Sequence, residues 1–278
     1  MGRPLGVAAF EFKAPLREAF RRTLSHGVRH CELVTPTDVT LASLSEASDL
    51  AEEFGVTVTA VASLTRLNSA ENVKDTIALL DQSIEIAGGL GAPAVITYFG
   101  GHQERQPQEA IERYAKLIQP TLDLARANGV NVLIENHFSH APGEVTNTAY
   151  GCAELISAVD AENFGLNFDP CNFAIGGQDI VAAYERLRPV IRNVHVKDAR
   201  PFDPLADAGY DGRVVTDLVR GDFLFVPVPD GITDNDAILS RVVADELEVP
   251  VTVEVHVPDR MVDGAFSRGI AFCRDRGI

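Results

Sequence analysis

The chain has 278 residues, 46% hydrophobic and 23% charged, which is enough apolar material for a sizeable core and excludes a disordered polymer. Its formal net charge of −16 argues against a nucleic-acid partner, because contact with the phosphate backbone needs basic patches that replace counterions. No apolar stretch approaches the roughly 18 residues of a membrane span, and Glu11 and Lys13 interrupt the apolar run near the start.

The four cysteines, Cys31, Cys152, Cys171 and Cys273, are scattered without CxxC spacing. That pattern reads as free thiols in a reducing compartment, and so as a cytoplasmic protein with no membrane partner. A homo-oligomer is compatible with all of this.

In chain order, short apolar runs alternate with amphipathic stretches. "LGVAAFEF" (5–12) reads as a strand and "APLREAFRRTLSHG" as a helix closed by Gly27. "RHCELV" is a strand, followed by "LASLSEASDLAEEFG", a helix ending at Gly55. "VTVTAVAS" is the third strand, before a long helix in "SAENVKDTIALLDQSIEIAGGLG". "PAVITYFGG" is the fourth, before a helix over 107–129. The second half repeats the cycle with strands in "VNVLIEN", "NFGLNFD", "IRNVHVKD" and "VTVEVHV", and helices near 148–159, 178–188, 234–247 and 262–276. Eight strand-then-helix units predict a single-domain (β/α)8 TIM barrel spanning 1–278. The rival open doubly wound sheet lacks its GxGxxG after the first strand.

Two segments break the rhythm. Residues 137–147 form a polar loop, and 198–231 is a long excursion after the seventh strand. Both follow the carboxyl ends of strands, where barrel enzymes place their chemistry, so 198–231 is expected to be a lid or pocket wall.

Strand side chains alternate in direction. In the last four strands one parity is apolar: Val132 and Ile134, Leu166 and Phe168, Val194 and Val196, Val253 and Val255. The other parity is small or polar and ends in Glu135, Asp169, His195 and Glu254. Four strands therefore deliver three carboxylates and an imidazole inward at one height. Carboxylates converging without a cation repel each other and lose hydration, at a cost of several kcal/mol each. One divalent metal removes that cost. Three oxygen donors and one nitrogen suit Mn2+ first, with Mg2+, Co2+ or Zn2+ as alternatives, and no organic cofactor is called for.

The segments "VLIENH", "GLNFDPCN", "IRNVHVKD" and "VTVEVHV", together with "GVRHCELV" and "VPDGITDNDAIL", resemble the xylose-isomerase-like sugar phosphate isomerase/epimerase superfamily over nearly the whole chain. The resemblance implies a metal held by Glu135, Asp169, His195 and Glu254. It spans several reactions: ketose 3-epimerases, hydroxypyruvate isomerases, inosose dehydratases and 3-dehydroshikimate dehydratases. Two features depart from the ketose epimerase pattern. Asn172 stands where many of those enzymes have a His, and "GDFLFVPVPDG" resembles the inosose dehydratases more.

The expected activity is isomerisation or epimerisation of a small carbohydrate-like polyol ketone. Glu135 and Glu254, from the fifth and eighth strands, flank the substrate. One removes the proton beside the carbonyl and the other returns it, with the metal stabilising the enediolate. Loss of a β-hydroxyl after the same first step would make a dehydratase (a lyase) of the inosose or 3-dehydroshikimate type. A metal-dependent phosphodiesterase or endonuclease is disfavoured by only seven His and the acidic charge, and a non-catalytic barrel by the retention of all four ligands. Candidate substrate contacts are His102, His137, Asn172, Lys197, Arg200 and His256, while Glu11 and Glu32 are assigned supporting or surface roles.

Overall fold

A computed structural model describes residues 3–102 and 106–278. Its frame is a closed barrel of eight parallel strands: β1 (Leu5–Ala8), β2 (His30–Val34), β3 (Thr57–Arg66), β4 (Ala94–Tyr98), β5 (Asn131–Glu135), β6 (Phe164–Phe168), β7 (Ile191–Val196) and, after three strands outside the barrel, β11 (Val251–Val253). β11 closes the ring between β7 and β1. Around it lie α1 (Leu16–Ser25), α2 (Leu44–Phe54), α3 (Val73–Leu90), α4 (Pro107–Ala127), α5 (Ala149–Val159), α6 (Pro170–Ile175), α7 (Ile180–Leu187), α8 (Asn235–Ala244) and α9 (Val262–Arg274). This is the single-domain TIM barrel expected from the strand–helix alternation.

The helices start and stop on local chemistry. Thr148, Asp179 and Asp234 each accept a backbone N–H at the start of α5, α7 and α8. Gly55 ends α2 in the left-handed region at φ 59°.

The two faces of the strands divide the core. Outward residues such as Val132, Ile134, Leu166, Phe168, Val194, Val196 and Val253 pack beneath the helices in one large cluster. The interior is split. Val34, Ala60, Ala62, Ala94, Ile96 and Leu133 fill the β2–β5 side with a small apolar plug. On the β6, β7 and β11 side the buried inward residues are Asn167, Asn193, His195 and Thr252. A barrel interior that is half polar must satisfy those groups, and they converge toward the carboxyl ends of the strands.

The excursion after β7 is a built element. β8 (Asp198–Pro201), β9 (Val214–Asp217) and β10 (Gly221–Val226) form an antiparallel sheet in the order β8–β10–β9. Its apolar face, Ala199, Phe223 and Phe225, packs on Phe138 after β5 and on Cys171 and Ile175 of α6. The Asp217 carboxylate accepts the Ser139 amide at 2.9 Å, and the Arg220 guanidinium donates to the carbonyls of Ala174 and Ile175. Asp198 accepts the amides of Gly231 and Thr233, fastening the two ends of the excursion together. The crossing is close enough that a Cβ at Gly231 would fall 2.2 Å from Asp198 Oδ1, so glycine is needed there for proximity.

The sequence reading did not anticipate these three strands, nor the one-and-a-half-turn helix α6. β3 also runs three residues further than expected, to Arg66. All four cysteines are buried free thiols. Among the described residues no helix is long and apolar enough to cross a membrane.

Candidate functional site

The register of the barrel sets the site. Glu135 of β5 pairs with Asn167 of β6, which pairs with Asn193 of β7. Sharing the inward parity, they form a chain: Asn193 Nδ2 donates to Asn167 Oδ1 at 2.8 Å, and Asn167 Nδ2 donates to Glu135 Oε2 at 2.8 Å. The other oxygen of Glu135 accepts from Asn172 Nδ2 at 3.0 Å. Asn136 clamps the end of β5 to the end of β6, accepting the Asp169 amide at 2.9 Å and donating to the Asp169 carbonyl at 2.8 Å. Asp169 then caps α6, its Oδ1 accepting the Asn172 amide at 2.9 Å.

That leaves Asp169 Oδ2, fully buried and without a hydrogen bond. Lys197 Nζ is 2.8 Å from it as a charge but outside hydrogen-bonding geometry. His195 sits at the centre. Its Nε2 is 2.9 Å from Glu32 Oε2, while Nδ1 faces Glu135, Asp169 and Glu254 at 3.7, 4.0 and 3.6 Å. Lys197 Nζ also donates to Glu254 Oε2 at 2.7 Å.

Glu254 follows β11, and two residues on the chain enters the left-handed region at His256, φ 47°. The His256 amide donates to Glu11 Oε1 at 3.2 Å. Its ring lies between Glu11 and Glu254, with Nδ1 against Glu11 and Nε2 3.1 Å from Glu254 Oε1. A left-handed backbone at a non-glycine residue costs of order 1 kcal/mol or more, and Glu11, accepting the His256 amide, holds it in place.

Burial and charge pull the titrating groups apart. Burial pushes the Glu135 carboxyl up to about 7. Glu254 is buried too, but the His256 and Lys197 charges hold it well below the usual carboxylate range. Burial opposes the charged forms of His195 and Lys197. Glu32 and Glu135 nevertheless raise His195, and Asp169 and Glu254 raise Lys197, well above their ordinary values. His137 is driven well below its ordinary value by burial and then by the His140 charge.

Five buried carboxylates (Glu11, Glu32, Glu135, Asp169 and Glu254) face one ammonium and two imidazoles. The acids outnumber the bases by two. A hydrogen-bond-free carboxylate oxygen beside an imidazole nitrogen and a second carboxylate fits a divalent cation.

The structure gathers three of the four expected ligands: Glu135, Asp169 and His195 offer donor atoms within 4.8 Å of one another. Glu254 belongs to a second such trio with Glu11 and His256. It reaches the first only through its 3.6 Å approach to His195 Nδ1.

A cavity of about 330 Å³ opens above this floor, lined by Glu135, Glu254, Lys197 and Glu32, with Tyr98, Phe138 and Phe225 among its aromatic walls. Of the expected substrate contacts, His137, Asn172, Lys197 and His256 line it. The Asn172 amide is committed to Glu135 and the Asn136 carbonyl, so it faces the cavity as a support for the carboxylate. Arg200 and His102 are not among the described residues lining it. Arg200 is on β8, locked in a bidentate pair with Asp207, and His102 packs beside Gly143 of the loop after β5.

Arg66 and Arg213 at the rim escaped the sequence reading, while Glu32, expected in a supporting or surface role, stands buried behind His195. Glu32 carried a signal, an acid with inward parity in a buried strand. Arg213 carried none, because its place depends on the sheet built by β8–β10.

The barrel thus gathers carboxylates, an imidazole and a buried lysine at the carboxyl ends of its strands, where barrel enzymes place their chemistry. The chain belongs to the xylose isomerase-like TIM barrel family, whose model matches residues 6–276. It is 25% identical over 187 residues to a 3-dehydroshikimate dehydratase of Bacillus anthracis, a match that covers 66% of this chain and 64% of that protein.

Among solved structures, it superposes on the probable 3-DHS dehydratase of Bacillus anthracis with TM-score 0.76 and 18% identity, covering 99% of both chains. It matches a 3-keto-D-glucoside 4-epimerase of E. coli with TM-score 0.76 and 15% identity over 98% of this chain and 99% of that one. It matches the IOLI protein, solved with a zinc atom, with TM-score 0.75 and 20% identity over 98% and 96%. At these identities the structural likenesses carry the fold. The relatives are enzymes, among them an epimerase and a dehydratase.

Proposed function

We propose that this chain is a divalent-metal-dependent isomerase or epimerase of a small polyhydroxylated carbonyl compound, working by proton transfer at the carbon beside the carbonyl. The observation that carries this reading is the placement of Glu135 and Glu254. They arrive from β5 and from beyond β11, line one cavity, and stand 3.7 and 3.6 Å from the same nitrogen of His195. Two carboxylates on opposite sides of one floor can remove a proton from one face of a substrate and return one to the other face or to the neighbouring carbon.

Glu135, Asp169, His195 and Glu254 would hold the metal, Mn2+ in the first instance. When bound it would supply Lewis-acid stabilisation to the oxygen on which charge develops. Lys197, kept as an ammonium by Asp169 and Glu254, would donate to a substrate oxygen. Phe225 and the rest of the β8–β10 sheet would shield the site from water, which strengthens each of these interactions.

A second reading, dehydration, is favoured by the match to a 3-dehydroshikimate dehydratase. The first step is the same. A C–H bond breaks and its proton goes to a carboxylate, then the C–O bond of a β-hydroxyl breaks, a C=C bond forms, and the oxygen leaves as water after taking up a proton.

The test is a panel of ketoses, inososes and 3-dehydroshikimate incubated in D2O with the Mn2+-loaded protein and read by mass spectrometry. A product one mass unit heavier without loss of water supports the isomerase or epimerase. Loss of 18 mass units supports the dehydratase. No exchange and no product across the panel would overturn both.

A further inference from the structure

We infer that the substrate of this site carries an anionic oxyacid group, a carboxylate or a phosphate, at the end remote from the reacting carbonyl, and that Arg66 and Arg213 receive it. The inference rests on the proposed proton-transfer reading and names its substrate class.

The floor of the cavity is acidic and so is the chain as a whole, so an anion would be repelled unless the rim offset both. The rim does. Arg66, the last residue of β3, and Arg213, just before β9, both line the cavity and are both exposed.

Among the described residues, many arginines are spent on carboxylates, such as Arg17 on Glu53, Arg22 on Asp263, Arg200 on Asp207, Arg260 on Asp211 and Arg268 on Asp230. Among the described residues neither Arg66 nor Arg213 pairs with a carboxylate. Each lies over an aromatic ring of the cavity wall instead, Arg66 at 5.2 Å from the centre of Tyr98 and Arg213 at 5.9 Å from Phe225. The further polar neighbour of Arg213 is His256 Nε2, at 3.4 Å.

A guanidinium held over a ring by its cationic centre keeps N–H groups available at its edge, and these can take a planar or tetrahedral oxyanion by two parallel hydrogen bonds. Lys197, the other cation lining the cavity, is already engaged by Asp169 and Glu254 at the floor. The site is therefore polarised, with acids and candidate metal ligands at the bottom and two guanidinium groups that pair with no carboxylate among the described residues at the top. A neutral ketose would leave the top unused.

The test uses two matched triples as probes: D-galactose, D-galacturonate and D-galactose 6-phosphate, and D-glucitol, D-gluconate and D-glucitol 6-phosphate. Each is titrated calorimetrically into the Mn2+-loaded protein at low and high salt. An anionic member of at least one triple should bind at least about tenfold tighter than its neutral parent, by an advantage that shrinks with salt, and the carboxylate and phosphate arms show which oxyacid is taken.

In the R66M/R213M double variant the advantage should fall to within about twofold, with metal content unchanged. Equal binding of neutral and anionic members, absence of binding by every anion, or a preference that survives in the double variant would each overturn the inference. Equal solvent-deuterium exchange on neutral and anionic substrates leaves proton transfer standing and overturns the anion site. Anion preference without exchange on any carbonyl compound does the reverse.

Discussion

His195 is gripped from behind by Glu32: the two side chains, 163 positions apart and both buried, meet at 2.9 Å through Nε2, which leaves Nδ1 turned toward Glu135, Asp169 and Glu254. A carboxylate on the far nitrogen of a metal-binding imidazole fixes its tautomer and raises its basicity, and losing such a partner commonly costs about 10- to 100-fold in metal affinity. Glu32→Ala should therefore weaken Mn2+ binding by about that factor, and Glu32→Gln, which keeps an acceptor but not the charge, by less. Metal titration followed by calorimetry checks it. Wild-type affinity in Glu32→Ala would remove Glu32 from the site.

Asp169→Ala and His195→Ala probe the metal itself. The protein should bind about one equivalent of divalent metal per chain, and either substitution should abolish stoichiometric binding. Unchanged metal content in both would contradict the assignment.

Lys197 holds Asp169 and Glu254 in a buried environment, so Lys197→Met leaves two carboxylates without their ammonium. Breaking such a pair costs roughly 3–5 kcal/mol. A bound divalent cation replaces part of the lost charge, so the variant's thermal midpoint should rise more on adding Mn2+ than the wild-type midpoint does. Equal metal-induced shifts by scanning calorimetry would show that the ammonium and the cation do not share these carboxylates.

Asp38 tests the electrostatics of the fold away from the metal ligands. Burial pushes its carboxyl up to about 6, although it accepts the Val34 amide at 2.8 Å. Its folded value lies above the unfolded one, so the folded state binds the proton more tightly. Stability from this group is present below about pH 4 and is lost as pH rises through about 6. Asp38→Asn keeps an acceptor for Val34 and should be more stable than wild type at pH 7.5, by on the order of 1 kcal/mol, with the difference closing toward pH 4. Urea titrations at the two pH values decide it, and a constant difference would contradict the sign.

The β8–β10 sheet should act as the wall that keeps the site dry. Replacing residues 201–220 with a short Gly/Ser connection deletes β9 and Arg213 while leaving the barrel strands and every proposed ligand in place. Folding and metal content should persist while turnover falls at least about tenfold. Wild-type kinetics in the truncated protein would mean that the sheet serves packing alone.

Much of this arrangement was legible in the strands. Period-two alternation separates Val132 and Ile134 from Leu133 and Glu135, and Val194 and Val196 from His195, and the folded barrel puts those sets on its outer and inner faces as alternation requires. What alternation cannot give is pairing between distant strands. Glu32 reads as one acid in "HCELV", and nothing local says that closure of the barrel brings β2 near enough for it to meet His195. The sheet of 198–226 was illegible for another reason. Its strands are four to six residues long, separated by turn-rich sequence, and stabilised by Phe138 and α6 from elsewhere in the chain. Asn172 reads as a substitution for a histidine, and only the folded structure shows its amide turned back onto Glu135.

The central claim is that Glu135 and Glu254 carry protons at a metal-holding floor. The measurement that tests it most directly is the rate of solvent-deuterium exchange into the best substrate of the panel, with metal content determined on the same samples, for wild type, Glu135→Gln and Glu254→Gln. Each fully metallated variant should exchange at least about a hundredfold more slowly than wild type, the scale of general acid–base catalysis. Exchange at the wild-type rate in a fully metallated variant of either residue would contradict the account.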